Sequence, residues 1–213
     1  MQDALITLAQ RIAERPAHLI PQPISDRVAY VVSHAPSYSS NGYAVRTQGI
    51  AKALTEANLE VIGLVRPGRP WSLGPDQPVA VEQMVDGVRY IHSRHPSDAH
   101  QRPEDYLEAA AERFLTLLRI YRPAAVLAAS NWMVGLPAWV AAHRLGLPFY
   151  NEVRGFWELS RAARDPGYAE SADCEAQATR DCFVARKAKK VFTLNQPMRA
   201  ELVARGIEVA KID

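Results

Sequence analysis

Side chains that could bind a ligand are concentrated in three short segments of this 213-residue sequence, residues 33–42, 130–135 and 154–158. The segments offer hydroxyl, amide and imidazole groups, aromatic rings, a guanidinium and a carboxylate. This combination suits a polar ligand with hydroxyl groups and a phosphate, because it supplies hydrogen bonds, stacking surfaces and a positive charge. The candidates are His34, Ser37, Tyr38, Asn41, Ser130, Asn131, Trp132, Arg154 and Glu158, with Glu152 at the end of the preceding strand.

Each candidate also has a structural interpretation. Glu152 and Arg154 could pair with one another or cap neighbouring helices, and Trp132 could belong to the core. We favour a ligand cleft for the set as a whole, because all three segments follow the carboxyl ends of predicted strands.

The first segment lies between a strand and a helix. Residues 28–32 form an apolar, β-branched run typical of a strand covered on both faces, and a helical pattern runs from Gly42 to Leu54. A loop in this position presents backbone N–H groups and the positive end of a helix dipole, so phosphate is the first ligand to consider. The alternative is a connection that binds nothing. The segment lacks the glycines of G-x-G-x-x-G and the Gly-Lys-Ser/Thr of a P-loop, so neither class gains support.

Strands and helices alternate along the rest of the chain. The patterns predict strands at residues 60–65, 125–129, 148–153 and 191–194, and helices at residues 104–122, 136–145, 173–188 and 197–205. Asn58, Gly146 and Gly206 are expected to end helices. Asp86-Gly87 predicts a hairpin between residues 79–85 and 88–92. Residues 209–213 are expected to begin a last strand. The alternation predicts an α/β fold, a doubly wound, mostly parallel, Rossmann-like sheet with an inserted β-hairpin.

We interpret residues 1–24 as an N-terminal helical extension and residues 25–213 as the Rossmann-like domain. Ligands of open parallel sheets bind outside the carboxyl ends of the strands. We therefore expect the three segments to meet there, with Asn41, Asn131 and Arg154 on one side of the molecule.

Composition argues against several classes of function. A formal charge of +2 gives little attraction for nucleic acid or anionic membranes. No apolar run approaches the roughly 18 residues of a membrane span, and the N-terminus lacks the pattern of a secretory signal, so a cytoplasmic location is expected. The closely spaced His92, His95 and His100 lack the spacing of a metal site on a helix, so a solvated loop is favoured and no metal is expected.

Three stretches resemble a known family. Residues 42–54, Gly-Tyr-Ala-Val-Arg-Thr-Gln-Gly-Ile-Ala-Lys-Ala-Leu, resemble the first helix of GT-B glycosyltransferases of the large retaining family 4. Residues 130–138, Ser-Asn-Trp-Met-Val-Gly-Leu-Pro-Ala, and residues 152–158, Glu-Val-Arg-Gly-Phe-Trp-Glu, look like two further segments of it, in the same order and spacing. The likeness runs from about residue 28 to residue 213 and covers only the N-terminal, Rossmann-like domain of that family.

The resemblance implies a retaining, metal-independent transfer of a sugar from a nucleotide-diphosphate donor to a glycan, lipid or small-molecule acceptor. In that family the N-terminal domain mostly binds the acceptor, and its first glycine-bearing loop approaches the donor diphosphate. By position, Ser40, Asn41 and Gly42 would contact the diphosphate. The residues implied to line the acceptor side or the cleft are Tyr38, Ser130, Asn131, Trp132, Glu152, Arg154, Trp157 and Glu158.

The implied partners are the sugar acceptor and the nucleotide sugar, which is a co-substrate and not a cofactor; no other cofactor and no nucleic acid is implied. The donor would be shared with a C-terminal, donor-binding domain that is absent from these residues. We therefore expect this chain alone to be inactive. A peripheral membrane association of the full enzyme is left open.

The sequence departs from the family at one chemically important position. Many relatives carry a histidine at the carboxyl end of the fourth strand, where it reaches the donor sugar, and Ala129 stands at that position here. Either another group such as His34 serves instead, or the chemistry is altered or lost. The alternative function is therefore a non-catalytic ligand-binding or scaffold module that kept the fold. A nucleotide-binding oxidoreductase is disfavoured because the glycine fingerprint is missing.

Overall fold

A seven-stranded sheet runs through the centre of the molecule. The computed structural model describes residues 3–17, 19, 22–75, 77–97 and 102–213. The strands are β1 (Ile24–Val32), β2 (Glu60–Val65), β3 (Glu82–Val85), β4 (Val88–Ile91), β5 (Pro123–Ala129), β6 (Phe149–Val153) and β7 (Val191–Thr193). The helices are α1 (Ala4–Ala13), α2 (Gly42–Glu56), α3 (Pro103–Tyr121), α4 (Trp132–Arg144), α5 (Trp157–Ala162), α6 (Ala172–Lys187) and α7 (Gln196–Ala204). Short 3₁₀ helices occupy Trp71–Leu73, Pro166–Tyr168 and Val209–Lys211.

The strand order is β3-β4-β2-β1-β5-β6-β7, and every neighbouring pair is parallel except β3 with β4. The predicted α/β architecture with one inserted hairpin is therefore confirmed. Asp86 and Gly87 both have positive φ angles, 47° and 81°. A two-residue turn of this kind matches the twist of antiparallel strands.

Helices cover both faces of the sheet, and alternate residues of the strands point to each. On one face α1, α3, α4 and α6 pack together, with Phe114, Leu136 and Val184 in their shared core. On the other face α2 packs against β2 and β4, and its Ala51 belongs to the same core as Tyr30 of β1. The helix of the predicted N-terminal extension thus contributes to the main core, while the boundary at residue 24 stays a prediction.

The ends of several helices agree with the sequence signals. Asn58 follows α2 with φ 65°, Gly146 follows α4 with φ 65°, and Gly206 follows α7 with φ 81°. Such left-handed residues end helices because their backbone geometry satisfies the last carbonyl groups.

Several predicted boundaries are wrong. Strand β1 begins at Ile24 and not at residue 28, and β3 begins at Glu82 and not at residue 79. Helix α4 begins at Trp132 and not at residue 136, because Asn131 caps it and Pro137 is accommodated inside the helix. Helix α5 begins at Trp157, within a segment predicted to be a loop. Residues 209–213 form a 3₁₀ helix and a single bridge between Ile212 and Val191, and no full strand.

In the described part of the chain, no helix is both long enough and apolar enough to cross a membrane.

Candidate functional site

The three segments singled out in the sequence meet at the carboxyl edge of the sheet. The Ser130 N–H donates to the Glu152 carbonyl oxygen at 2.8 Å, and the Arg154 N–H donates to Ser130 Oγ at 2.8 Å. Arg154 also reaches the first turn of α2, where Nη1 donates to the Tyr43 carbonyl oxygen at 3.1 Å. The connections after β5 and β6 and the first turn of α2 are therefore joined by direct hydrogen bonds.

A buried ion pair underlies this edge. Arg154 Nη2 lies 2.9 Å from Glu152 Oε2, and the two side chains are only 3% and 5% exposed. Tyr30 Oη donates to the same carboxylate oxygen at 2.6 Å, and Arg154 Nη2 also donates to Tyr30 Oη. Arg46 Nε donates to Glu152 Oε1 at 3.1 Å, and Arg154 Nη1 donates to Thr47 Oγ1 at 2.9 Å. The network connects β1 and β6 to α2.

Electrostatics within this network favour the charged forms of the pair. Burial by itself raises the pKa of Glu152, but the hydrogen bond and charge of Arg154, together with the hydrogen bonds of Tyr30 and Arg46, hold that pKa below its usual range. Burial by itself lowers the pKa of Arg154, yet Tyr30 and Glu152 together raise that pKa. Burial is also the largest cause of the raised pKa of Tyr30. The pair is therefore a fixed part of the fold under ordinary conditions.

Glu152 and Arg154 lie beneath α2 and not on an open wall. Their relative exposures are 4% and 8% as whole residues. A ligand at the surface would therefore meet the start of α2 before it met either group. The role on the acceptor side that the resemblance implies for Glu152 and Arg154 stays a prediction. In that role they would position neighbouring groups and would not contact the ligand themselves.

The start of α2 is open to a ligand. Asn41 caps the helix, since its Oδ1 accepts from the Ala44 N–H at 3.0 Å and its carbonyl oxygen accepts from the Val45 N–H at 3.1 Å. Among the described residues, none accepts from the N–H groups of Gly42 and Tyr43. A Cβ added at Gly42 would meet nothing within 4 Å. Ser40, Asn41 and Gly42 are exposed. Two free donors at the positive end of a helix dipole are an arrangement that favours an anion, and the binding of a diphosphate there stays a prediction.

The start of α4 is closed by contrast. The Trp132 N–H donates to Asp181 Oδ1 at 2.6 Å, and the Met133 N–H donates to Asn131 Oδ1 at 3.3 Å. The next two N–H groups donate to the Asn131 carbonyl oxygen. The Arg180 guanidinium lies 4.9 Å from the centroid of the Trp132 ring. The second segment therefore has capping and packing roles in this structure, and an anion would bind at α2.

The third segment continues into α5. The Trp157 ring stacks on Tyr43 with centroids 5.3 Å apart and planes 21° apart. Glu158 is 2% exposed and pairs with Arg205 Nη1 at 2.6 Å. Trp157 Nε1 and Glu158 Oε2 are buried without a hydrogen-bond partner among the described atoms. Trp157 therefore lies against the open start of α2, whereas Glu158 faces the interior.

His34 and Tyr38 lie toward β2 and β4, on the other side of β1 from Ala129. His34 and Tyr38 line a small cavity together with Arg69 and His92, while Ala129 is buried at the end of β5. Burial, followed by the charge of Arg69, lowers the pKa of His34 to about 4, so its imidazole is neutral at pH 7. Its proposed role as a substitute for the family histidine stays a prediction.

The expected solvated loop of histidines is wrong for His92. This residue is 1% exposed and follows β4 directly, and burial lowers its pKa to about 4. His95 follows in the same connection, and His100 lies outside the described residues. Within the described ranges, no group of three His, Cys, Asp or Glu residues could hold a metal ion.

Sequence reasoning missed four members of this edge: Tyr30, Arg46, Asp181 and Arg205. Tyr30 lies inside an apolar strand, Arg46 and Asp181 lie on helices, and Arg205 directly follows α7, so no local pattern distinguished them. Asp181 has the clearest electrostatic signature. Burial raises its pKa to about 7; the Trp132 N–H opposes this rise and the Glu158 charge adds to it.

This raised pKa predicts a pH effect on stability. A carboxyl group whose folded-state pKa exceeds its unfolded value of 3.8 destabilises the fold progressively as pH rises from about 4 through about 7. The Asp181→Asn variant keeps an oxygen that can accept from the Trp132 N–H, and it removes the carboxyl group whose ionisation destabilises the fold. We expect the variant to gain stability relative to the natural chain between pH 5 and pH 8, by on the order of a few kcal/mol.

Thermal unfolding of both proteins across this pH range measures the effect. Asp173→Asn, an exposed change on the same helix, should leave the difference between pH 5 and pH 8 unaltered. Parallel curves for the natural chain and Asp181→Asn would contradict the assignment.

Comparisons with known proteins agree with this architecture. UDP-N-acetylglucosamine 2-epimerase from Rickettsia bellii is similar in structure, with a TM-score of 0.57 and 14% identity over 89% of this chain and 44% of that one. A putative UDP-N-acetylglucosamine 2-epimerase from Listeria monocytogenes gives a TM-score of 0.55 and 11% identity over 89% of this chain and 44% of that one. The chain thus spans less than half the length of these structures. No curated protein matches the sequence.

The family comparison covers most of the chain. The family described as "Glycosyl transferase 4-like domain" matches residues 41–213, from the cap of α2 to the last residue. That range includes the open start of α2 and the segments at residues 130–135 and 154–158, of which the second contacts that start. This match, over more than half of its length, establishes that the chain belongs to the glycosyl transferase 4-like family.

Proposed function

We propose that this chain is the acceptor-side half of a glycosyltransferase, which moves a sugar from a nucleotide-diphosphate donor to a glycan, lipid or small-molecule acceptor. The transfer retains the configuration of the sugar and needs no metal ion. The chain acts as part of a longer protein whose second domain binds the nucleoside of the donor. Alone, it does not catalyse the transfer.

The open start of α2 is the observation that carries this proposal. A departing nucleoside diphosphate gains negative charge in the transition state. The free N–H groups of Gly42 and Tyr43 offer fixed donors for such a charge, and the cap at Asn41 holds them in place. Donors that are already oriented stabilise a developing charge without having to reorganise. In this proposal, Ser40, Asn41 and Gly42 face the diphosphate.

The acceptor side of the proposal rests on the segments beside α2. The Trp157 ring lies against Tyr43 and provides an aromatic surface next to the reacting centre. Ser130, Glu152 and Arg154 act one step away from the ligand, because they hold the β6–α5 connection against α2. Asn131 and Trp132 shape the start of α4.

A transfer assay tests the proposal. The complete natural protein that carries these residues is incubated with radiolabelled sugar nucleotides and an extract of candidate acceptors, and labelled product is counted. We expect transfer by the complete protein and none above background by the 213-residue chain alone, whose folding is verified by circular dichroism. Turnover by the chain alone would contradict the requirement for a second domain. Calorimetric titration with a panel of nucleoside diphosphates identifies the donor class.

Ala129 favours a second candidate function, a non-catalytic ligand-binding or scaffold module. A methyl group cannot donate a hydrogen bond to a donor sugar, and Ala129 is 1% exposed at the end of β5. The same experiments separate the two candidates. A complete protein that binds nucleoside diphosphates but transfers no sugar to any acceptor would be such a module.

A further inference from the structure

Arg46 brings a positive charge to the start of α2. It is the first cationic residue of the helix, one turn after Gly42, and the first turn contains no acidic residue. The Arg46 side chain is 43% exposed, whereas the guanidinium of Arg154 in the same network is buried beneath the helix. Of the two guanidinium groups in this network, Arg46 is therefore the one that a ligand can reach.

Two guanidinium groups share one carboxylate here. Glu152 pairs with Arg154 through Oε2 at 2.9 Å and with Arg46 Nε through Oε1 at 3.1 Å. The pKa of Glu152 lies below its usual range, so this carboxylate is ionised at pH 7. No other carboxylate among the described residues pairs with either guanidinium. Because Arg154 already balances the charge of Glu152, Arg46 gives the network an excess of positive charge.

The contacts of Glu152 locate the guanidinium of Arg46. Glu152 lies near the carboxyl end of β6, and Arg154, which is bonded to the same carboxylate, also donates to the Tyr43 carbonyl oxygen at 3.1 Å. Side chains of an α-helix lean toward its N-terminus, and residues three apart lie on one flank. The guanidinium of Arg46 is thus held at the level of the first turn, on the flank where the Tyr43 ring stacks on Trp157.

The outer edge of this guanidinium remains available to a ligand. Nε of Arg46 donates to Glu152, while Nη1 and Nη2 make no hydrogen bond with any described atom. The N–H groups of a guanidinium form a planar fork that matches two oxygens of a phosphate. Because the bond to Glu152 already restricts the side chain, less conformational freedom is lost when the fork binds an anion.

We propose that Arg46 binds the donor diphosphate, with Nη1 and Nη2 donating to phosphate oxygens beside the N–H groups of Gly42 and Tyr43. This inference rests on the proposed function and adds a charged residue to that site. The backbone donors and the helix dipole favour an anion but carry only partial charges. Arg46 supplies a full positive charge for a diphosphate that leaves without a metal ion, and Glu152 positions it.

Isothermal titration calorimetry of the complete natural protein tests the proposal. The probes are inorganic pyrophosphate and the diphosphates of uridine, guanosine and adenosine, each diphosphate being compared with its nucleoside. For every phosphate probe that binds, we expect Arg46→Gln to weaken binding by about 10- to 100-fold, typical of hydrogen bonds between charged groups. Affinity for the bare nucleosides should stay unchanged, because they lack the phosphates that Arg46 contacts.

Matched variants separate this role from a structural one. Arg46→Lys keeps the charge but loses the fork, so it should weaken phosphate binding less than Arg46→Gln. It also remains informative if Arg46→Gln unfolds the protein. Arg11→Gln removes the same charge from the last turn of α1, on the opposite face of the sheet, and should leave every affinity unchanged. A purely structural role of Arg46 would lower the melting temperature and the affinity for nucleosides together.

Three results would overturn the proposal. They are unchanged affinity of Arg46→Gln for the phosphate probes, an equal loss of affinity for diphosphates and nucleosides, or an equal loss in Arg11→Gln. Gly42→Asp distinguishes these outcomes from failure of the proposed function. If Gly42→Asp abolishes diphosphate binding and Arg46→Gln does not alter it, only Arg46 is removed from the site. If neither change alters binding, or if the natural protein binds no phosphate probe, the diphosphate site at α2 fails as well.

Discussion

Replacing Arg154 with methionine is expected to lower the free energy of unfolding by about 3–5 kcal/mol. Methionine fills much of the same space but removes the charge and every hydrogen bond of the guanidinium. The Glu152 carboxylate would then stay buried with only Tyr30 and Arg46 beside it. Removal of one partner from a buried pair leaves the other charge buried and uncompensated. Because a buried charge without a partner carries a large desolvation penalty, the folded state loses stability.

Urea denaturation of the natural chain and the variant measures this loss. Arg46→Met is the matched control, because Arg46 contacts the same carboxylate but its side chain is 43% exposed. Because Arg46 is partly exposed and Arg154 still compensates the carboxylate, this control should cost clearly less than Arg154→Met. The double variant Glu152→Gln/Arg154→Met removes both charges and should recover part of the stability. If Arg154→Met costs no more than Arg46→Met, the buried pair does not hold the β6–α5 connection as described.

Replacing Gly42 with aspartate should abolish the anion site at the start of α2 while the fold is kept. There is room for the side chain, and a carboxylate in the first turn of a helix is favourable for stability. The same carboxylate would compete for the free N–H groups of Gly42 and Tyr43 and repel a diphosphate. Loss of one such donor in other enzymes costs roughly 10²–10³ in rate, so we expect kcat/KM of the complete protein to fall at least about 100-fold.

Gly49→Asp provides the control for this experiment. Gly49 lies in the same helix, is exposed, and a Cβ there also meets nothing within 4 Å. It is two turns away from the free N–H groups, so transfer and nucleoside diphosphate affinity should be nearly unchanged. Comparable activity of Gly42→Asp and the natural protein would remove the start of α2 from the reaction.

The architecture could be predicted because its signals are local. Alternating apolar runs and helical periodicity indicated the strand and helix order, and Asp86-Gly87 indicated the hairpin. Asn58, Gly146 and Gly206 marked helix ends because only certain residues adopt the left-handed geometry required there at little cost.

The site could be predicted only in part, because its partners are far apart in sequence. The Tyr30–Glu152 hydrogen bond joins residues 122 positions apart, and the bond from the Trp132 N–H to Asp181 joins residues 49 positions apart. Periodicity reports which face of one element is buried and not which distant side chain lies against it. The buried state of Glu152 and the closed start of α4 therefore required the structure.

Local sequence patterns do not report contacts between residues that are far apart in the chain, and this also explains why the predicted starts of α4 and α5 were wrong. Residues 130–135 read as a loop because Ser and Asn are frequent in turns, and Pro137 favoured a helix that starts just before it. The start of α4 is stabilised by a carboxylate from α6, which a local pattern does not contain. Gly135 adds to this, since a Cβ there would lie 2.6 Å from Val184 Cγ1 and would separate the two helices.

Tyr43 contacts the β6–α5 connection at two points. Its carbonyl oxygen accepts a hydrogen bond from Arg154, and its ring stacks on Trp157. Any movement of that connection would carry the N–H groups of Gly42 and Tyr43 with it. A molecule that shifts residues 154–157 on binding would consequently change the affinity of the start of α2 for an anion. By thermodynamic reciprocity, the bound anion would change the affinity for that molecule by the same factor. Tyr43 would then couple the binding of the anion to the binding of the second molecule, without any rearrangement of the sheet.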